Sequence, residues 1–155
     1  MVQKTSRYVL AYLLWAISVA AAITVLLSAR SSLIIGFGVT KWDRYVEHAI
    51  NQFGFLFLAI FGLAIIVFTE HFYRTGVEKG RLFMRFFLVS FWELLILTLV
   101  HVAALIGIVQ TAALIGMAQP NLSSYYILLV GEVVLCALFF WLYRRTTQAY
   151  VAPVL

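Results

Sequence analysis

Charge and cysteine are what this chain has least of. Only 11% of its 155 residues are Asp, Glu, Lys or Arg, against about a quarter in ordinary soluble domains. A water-facing fold would lack the polar surface to cover itself. The one cysteine, Cys136, lies inside an apolar run, which excludes an internal disulfide and leaves the redox compartment unspecified. No Cys-x-x-Cys, His-x-x-x-His or His-Glu-x-x-His spacing occurs, so no metal site is expected. Glycine patterns that cradle phosphate are missing too: Gly36-Phe37-Gly38 is followed by neither the remaining glycine nor a basic residue on a capped helix. No pronounced internal repeat marks the inverted halves of a transporter.

What the chain has is apolar length. Hydrophobic residues make up 65% of it, with a mean hydropathy of +1.03. Four runs account for nearly all of this, each near the roughly 20 residues that an α-helix needs to cross hydrocarbon. The fold class predicted is all-α: one polytopic integral membrane domain over residues 1–155, with spans at about 8–29, 52–73, 83–116 and 124–144. Between them lie an external loop, 30–51, with an interfacial helix start, a cytoplasmic loop, 74–82, and a short external loop, 117–123. The first run outlasts the roughly 7–15 apolar residues of a signal core, so it reads as an uncleaved span. Thr40 and Ser123 are the expected caps of the second and fourth helices, and Gly76 the expected stop of the second.

The basic residues set the orientation. Lys4 and Arg7, then Arg74, Lys79, Arg81 and Arg85, then Arg144 and Arg145 fall on one side; Arg30, Lys41 and Arg44 fall on the other. Positive charge is retained in the cytoplasm, so both termini are expected inside, as an even number of crossings requires. The prediction is a multi-pass protein of the cytoplasmic (inner) membrane. The net charge of +5 is spread singly or in pairs beside apolar segments, and therefore points to anionic lipid headgroups and not to nucleic acid.

Inside the runs, Glu93, His101 and Glu132 stand out as candidates for ion or proton handling, with Gln110 beside them on the third span. Acidic groups at such depth cost roughly 2.5–3.5 kcal/mol on insertion scales and turn inward, pair or protonate. With the third span entering near Arg85 and the fourth leaving near Tyr143, helical rise puts Glu93 and Glu132 about 12 and 16 Å from the cytoplasmic edge. The two carboxyls are thus expected to approach each other. Helix-to-helix struts, or docking onto a partner's polar group, are the competing role for these residues. Glu70 and His71 beside Arg74 resemble the rim of a quinone or lipid-headgroup pocket, against the plainer reading of a solvated helix end. Haem is disfavoured, because His48, His71 and His101 fall at three different heights and no two can face each other across an iron.

No catalytic residue, cofactor or metal is predicted, and bound lipid or quinone is the ligand class left open. Missing chemistry, minimal loops and abundant aromatics lead to an expected role as an auxiliary, non-catalytic subunit of a larger prokaryotic membrane complex, such as one of respiratory or photosynthetic electron transfer. Its partners would be other integral membrane subunits and the bilayer. The alternatives are a small transporter or proton-conducting oligomer using Glu93, Glu132 and His101, and a membrane enzyme acting on lipid or quinone.

Overall fold

The computed structural model describes residues 2–38, 43–114 and 122–151. They form four α-helices: α1 (Val2–Gly38), α2 (Arg44–Glu78), α3 (Leu82–Leu114) and α4 (Ser123–Val151). All four are long and apolar enough to cross a membrane. At a rise of 1.5 Å per residue even α4 is about 43 Å long, beyond the roughly 30 Å of a hydrocarbon core. Each helix therefore extends past, or tilts within, the thickness that its hydropathy defines.

Polar residues along these helices are satisfied locally. Thr24, Ser31, Ser32, Thr98, Thr111 and Thr147 each donate a hydroxyl hydrogen to the carbonyl one turn back. That bond lets a hydroxyl lie among apolar groups without a tertiary partner. The stretch from Ser31 onward, expected as loop, is helical: α1 runs on to Gly38, so the connection to α2 is far shorter than the anticipated 30–51. Hydropathy measures the width of the lipid, whereas the backbone hydrogen-bond ladder continues until a breaker intervenes. The α2 N-cap position belongs to Asp43, whose carbonyl accepts from the N–H groups of Val46 and Glu47 while its side chain makes no capping bond. Thr40 lies outside the described residues. Ser123 is the first helical residue of α4, and the Leu122 carbonyl in front of it accepts from Tyr126 N–H.

The α2–α3 turn is a Schellman motif. Gly80 sits in the left-handed region at φ 67°; its N–H bonds the Val77 carbonyl, and Arg81 N–H reaches back to the Gly76 carbonyl at 2.8 Å. The stop therefore lies four residues beyond Gly76. Gly76 instead makes room for a side chain: a Cβ there would stand 2.8 Å from Arg85 Cδ, so its bareness admits Arg85. That guanidinium lies 4.4 Å from the Phe72 ring centroid and donates to the Phe72 carbonyl. A Cβ at Gly80 meets nothing within 4 Å, so Gly80→Ala isolates the backbone term. We expect a loss of about 1–2 kcal/mol, read as a lower unfolding midpoint in detergent with unchanged helicity.

Among the described residues, α1 packs against α2 and α3, α2 touches α3 more narrowly, and α4 meets α3 alone. The result is a three-helix cluster with a fourth helix on the outer side of α3. Its innermost apolar group is Ala11, Tyr73 and Leu82, with Leu14, Trp15, Val77, Phe86 and Val89 against it. Of the small residues expected at helix contacts on α1, Ser18 and Ala22 are buried, whereas Ala16 and Ala20 are not. The aromatic face of α2 is open: Phe53 and Phe57 are 72% and 75% exposed, fractions that suit contact with lipid and not with water. Phe86, Phe87 and Phe91 instead meet Phe139 and Phe140 of α4.

The start of α1 and the end of α4 share one end of the structure. Tyr150 donates its hydroxyl to the Gly80 carbonyl, with Arg81 over its ring, and Arg7 and Tyr8 border a cavity with Val77 and Glu78. Arg7, Arg74, Lys79, Arg81, Arg85, Arg144 and Arg145 collect here. Arg144 and Arg145 lie over the rings of Phe140 and Trp141, the position a snorkelling cation takes at an aromatic belt.

Candidate functional site

Along α3, one side chain finds an ionic partner inside the apolar region. His101 Nδ1 lies 2.6 Å from Glu132 Oε1 on α4, a charge-assisted contact. Glu132 is 7% exposed, and its second oxygen, Oε2, has no partner among the described residues. With the carboxylate ionised, the imidazole N–H donates at Nδ1, which leaves Nε2 as the ring's other polar atom.

The register that makes this pair is set at the basic end. Tyr150 stands level with Gly80, at the foot of α3. From there, helical rise carries Glu132 up by about 27 Å and His101 by about 28 Å, but Glu93 by only about 17 Å. The expected meeting of Glu93 with Glu132 is thus corrected. α4 stays helical beyond Tyr143 to Val151, which raises Glu132 past Glu93 and opposite His101.

His101 also lines a cavity of about 290 Å³ with Ser28, Ser31, Ser32 and Tyr125, and with Leu27 and Ala104 as its apolar wall. This cavity lies toward the end opposite the basic one, where α1 and α3 meet the start of α4. Ser32 Oγ donates to the Ser28 carbonyl at 2.9 Å and reaches the Val100 carbonyl of α3 at 3.3 Å, tying α1 to α3 one residue from His101. Sequence reasoning picks out none of these hydroxyls for a site. Ser28 and Ser32 are spaced to share a helix face, a signal hidden by reading Ser31 onward as loop.

Glu93 occupies a second polar cluster nearer the basic end. Its Oε1 is buried without a partner among the described residues. Tyr73, 1% exposed, shares a 2.8 Å hydrogen bond with Ser18 of α1. Buried Thr69 and Ser90 belong to the same helices, α2 and α3. Glu93 and His101 are about 12 Å apart along α3, so the structure divides the three candidates into a contacting pair and a separate acid. Gln110 is exposed.

The proposed rim on α2 also divides. Glu70 and Arg74 border a narrow cleft with Tyr8, Tyr12, Trp15 and Tyr73, whereas His71 is exposed. Spacing explains it: positions 70 and 74 fall on one helix face and position 71 turns about 100° away. His48 is exposed beside Gln52, with 3.1 Å between Nε2 atoms, so the three histidines stand apart. Among the described residues no three His, Cys, Asp or Glu side chains converge as a metal site.

Comparison of the chain with protein families, with curated proteins and with solved structures found no match.

Proposed function

We propose that this chain is a multi-pass protein of a prokaryotic cytoplasmic membrane, with both termini inside, and that it handles protons through the His101–Glu132 pair. The observation that carries the reading is that pair: an acid and a base in contact on adjacent apolar helices, beside a hydroxyl-lined cavity. Ionisable groups at this depth are expensive to insert, and those that pair inside a bundle mark proton relays and ion paths. An imidazole in contact with a carboxylate can accept a proton from one side and release it to the other with little rearrangement. Glu93, Tyr73 and Ser18 supply polar groups on the side of the basic end, and the serine cavity supplies them on the other. Reconstituted in vesicles containing a pH-sensitive dye, the wild-type protein is expected to dissipate an imposed pH gradient, and Glu132→Gln to hold it while keeping full helicity. Equal flux in both would remove the reading.

The orientation is supported by the shared basic end, which carries seven of the eleven Lys and Arg residues. In a Cys136→Ser background, Lys79→Cys and Gln148→Cys are expected to react with a membrane-impermeant maleimide in inside-out vesicles, and Asp43→Cys in spheroplasts. The reverse pattern would invert the topology.

A second reading, the auxiliary subunit of a larger membrane complex, draws on a different observation. α4 is packed on one side only, against α3, and α2 presents a continuous aromatic face; both are surfaces a neighbouring subunit's helices would fit. Under this reading His101–Glu132 is the clasp that holds α4 in place. Purification in mild detergent decides it: co-migration with other membrane subunits in fixed ratio supports the assembly, and migration alone removes it.

A further inference from the structure

The geometry points to a ligand for the serine-lined cavity: a hydrogen-bond-donating monovalent cation of the ammonium or primary-amine class, which the site takes up in exchange for the proton of the His101–Glu132 pair. This inference rests on the proton-handling reading and names what would be coupled to it.

The lining determines the ligand's chemistry. Ser31 spends its hydroxyl hydrogen on the Leu27 carbonyl at 3.0 Å, and Ser32 spends its own on the Ser28 and Val100 carbonyls. Both therefore present lone pairs to the cavity. The imidazole keeps its Nδ1 hydrogen on Glu132 Oε1 and offers an Nε2 lone pair once its second proton has left, and the Tyr125 hydroxyl can turn a lone pair to the same ligand. The site is rich in acceptors and stands next to a carboxylate. Among the described residues, other charged or titratable groups on the neighbouring helices are placed elsewhere: Arg30 lies over the Phe55 ring of α2 at 4.7 Å, Glu93 is about 12 Å along α3, Cys136 lies one turn along α4 in a separate cavity with Phe91 and Thr98, and Glu47 and His48 are exposed at the start of α2. Among the described residues, Glu132, one hydrogen bond behind His101, supplies the negative charge next to the cavity.

Acceptors beside an anion select a cation, and the nitrogen among them selects its kind. Hard alkali and alkaline-earth ions prefer a shell made entirely of oxygen, and a single imidazole nitrogen falls short of the three or four ligands that zinc gathers. An ammonium group matches the set, because each N–H can point at one lone pair. The volume, about 290 Å³, admits a small aliphatic amine.

Charge balance fixes the exchange. Unloaded, the pair keeps one proton as imidazolium and carboxylate, with no net charge. An ammonium ion arriving beside the imidazolium would place two positive charges in a low-dielectric site. Loading therefore expels the imidazolium proton and leaves neutral imidazole, carboxylate and ammonium, again without net charge. One cation enters and one proton leaves.

The test is titration calorimetry on the full chain in lipid nanodiscs, with empty nanodiscs as reference and ethylammonium chloride as probe. Saturable binding is expected, with a heat that differs between buffers of unlike ionisation enthalpy by the release of one proton. Tetramethylammonium, which has the charge but no N–H, and sodium are expected to give none. Ser32→Ala, which removes one acceptor, is expected to weaken the affinity for ethylammonium while leaving the helicity unchanged. Absence of ethylammonium binding, equal binding of tetramethylammonium, or binding without proton release would each overturn the inference. If ethylammonium fails while Glu132→Gln still abolishes proton flux, the exchange falls and proton handling stands; if Glu132→Gln and wild type conduct alike, the underlying reading falls instead.

Discussion

Tyr73→Ala is expected to cost about 3–5 kcal/mol, the largest single-residue loss in the molecule. The ring is 1% exposed, sits in the innermost apolar group, and packs against Phe86 of α3 with centroids 6.4 Å apart. Its hydroxyl is bonded to Ser18 of α1, so one side chain joins all three helices of the cluster. Lipid is itself apolar, so burial alone drives little association here, and the loss comes from dispersion contacts left unfilled in the cavity. Tyr73→Phe separates the terms: the ring remains, and only the bond to Ser18 goes, for about 0.6–2 kcal/mol by the measured range of interhelical hydrogen bonds in membranes. Reversible unfolding in mixed micelles reads both variants. A Tyr73→Ala protein no less stable than Tyr73→Phe would mean that the three helices do not pack around this ring.

The second large effect concerns α4. His101→Ala leaves both oxygens of a buried carboxyl without a partner among the described residues. Stranding a buried ion would cost about 3–5 kcal/mol, but a carboxyl can protonate, and the desolvated hydrogen-bonding group that remains costs about 1–3 kcal/mol. The lower range governs. Glu132→Ala is milder, because imidazole is uncharged once deprotonated and tolerates the site. The double variant is expected to be no less stable than His101→Ala alone, since the stranded acid has gone with its partner. A thermodynamic cycle over the four proteins, again in mixed micelles, measures this coupling; strictly additive losses would mean that the two side chains do not interact.

The part of this fold legible in sequence is what composition and period carry. Four apolar runs become four helices because each residue in lipid must satisfy its backbone within its own segment, and no tertiary information is needed for that. Tertiary register is not legible. Sequence pairs Glu132 with Glu93 because its height depends on where α4 ends, and that end is set by Tyr150 reaching Gly80, a contact between residues seventy positions apart. The polar continuation of α4 past Tyr143 carries no hydrophobic signal, so the helix is measured from the wrong base. The serines of the cavity escape notice for a related reason: hydroxyls that bond their own helix look the same in sequence as hydroxyls in a loop. Glu70 and Arg74, by contrast, can be separated from His71 by helical angle alone.

The central claim is that, in a lipid bilayer, His101 and Glu132 are in direct contact across α3 and α4. Solid-state NMR on protein labelled with ¹⁵N at histidine and ¹³C at glutamate side chains measures it, using dipolar dephasing between the imidazole nitrogens and the carboxyl carbons. The expected result is strong dephasing at the Nδ1 of a single histidine, lost in Glu132→Gln with selective unlabelling of glutamine and unchanged in Glu93→Gln. Dephasing that survives Glu132→Gln but disappears in Glu93→Gln, or none at any histidine, would contradict it.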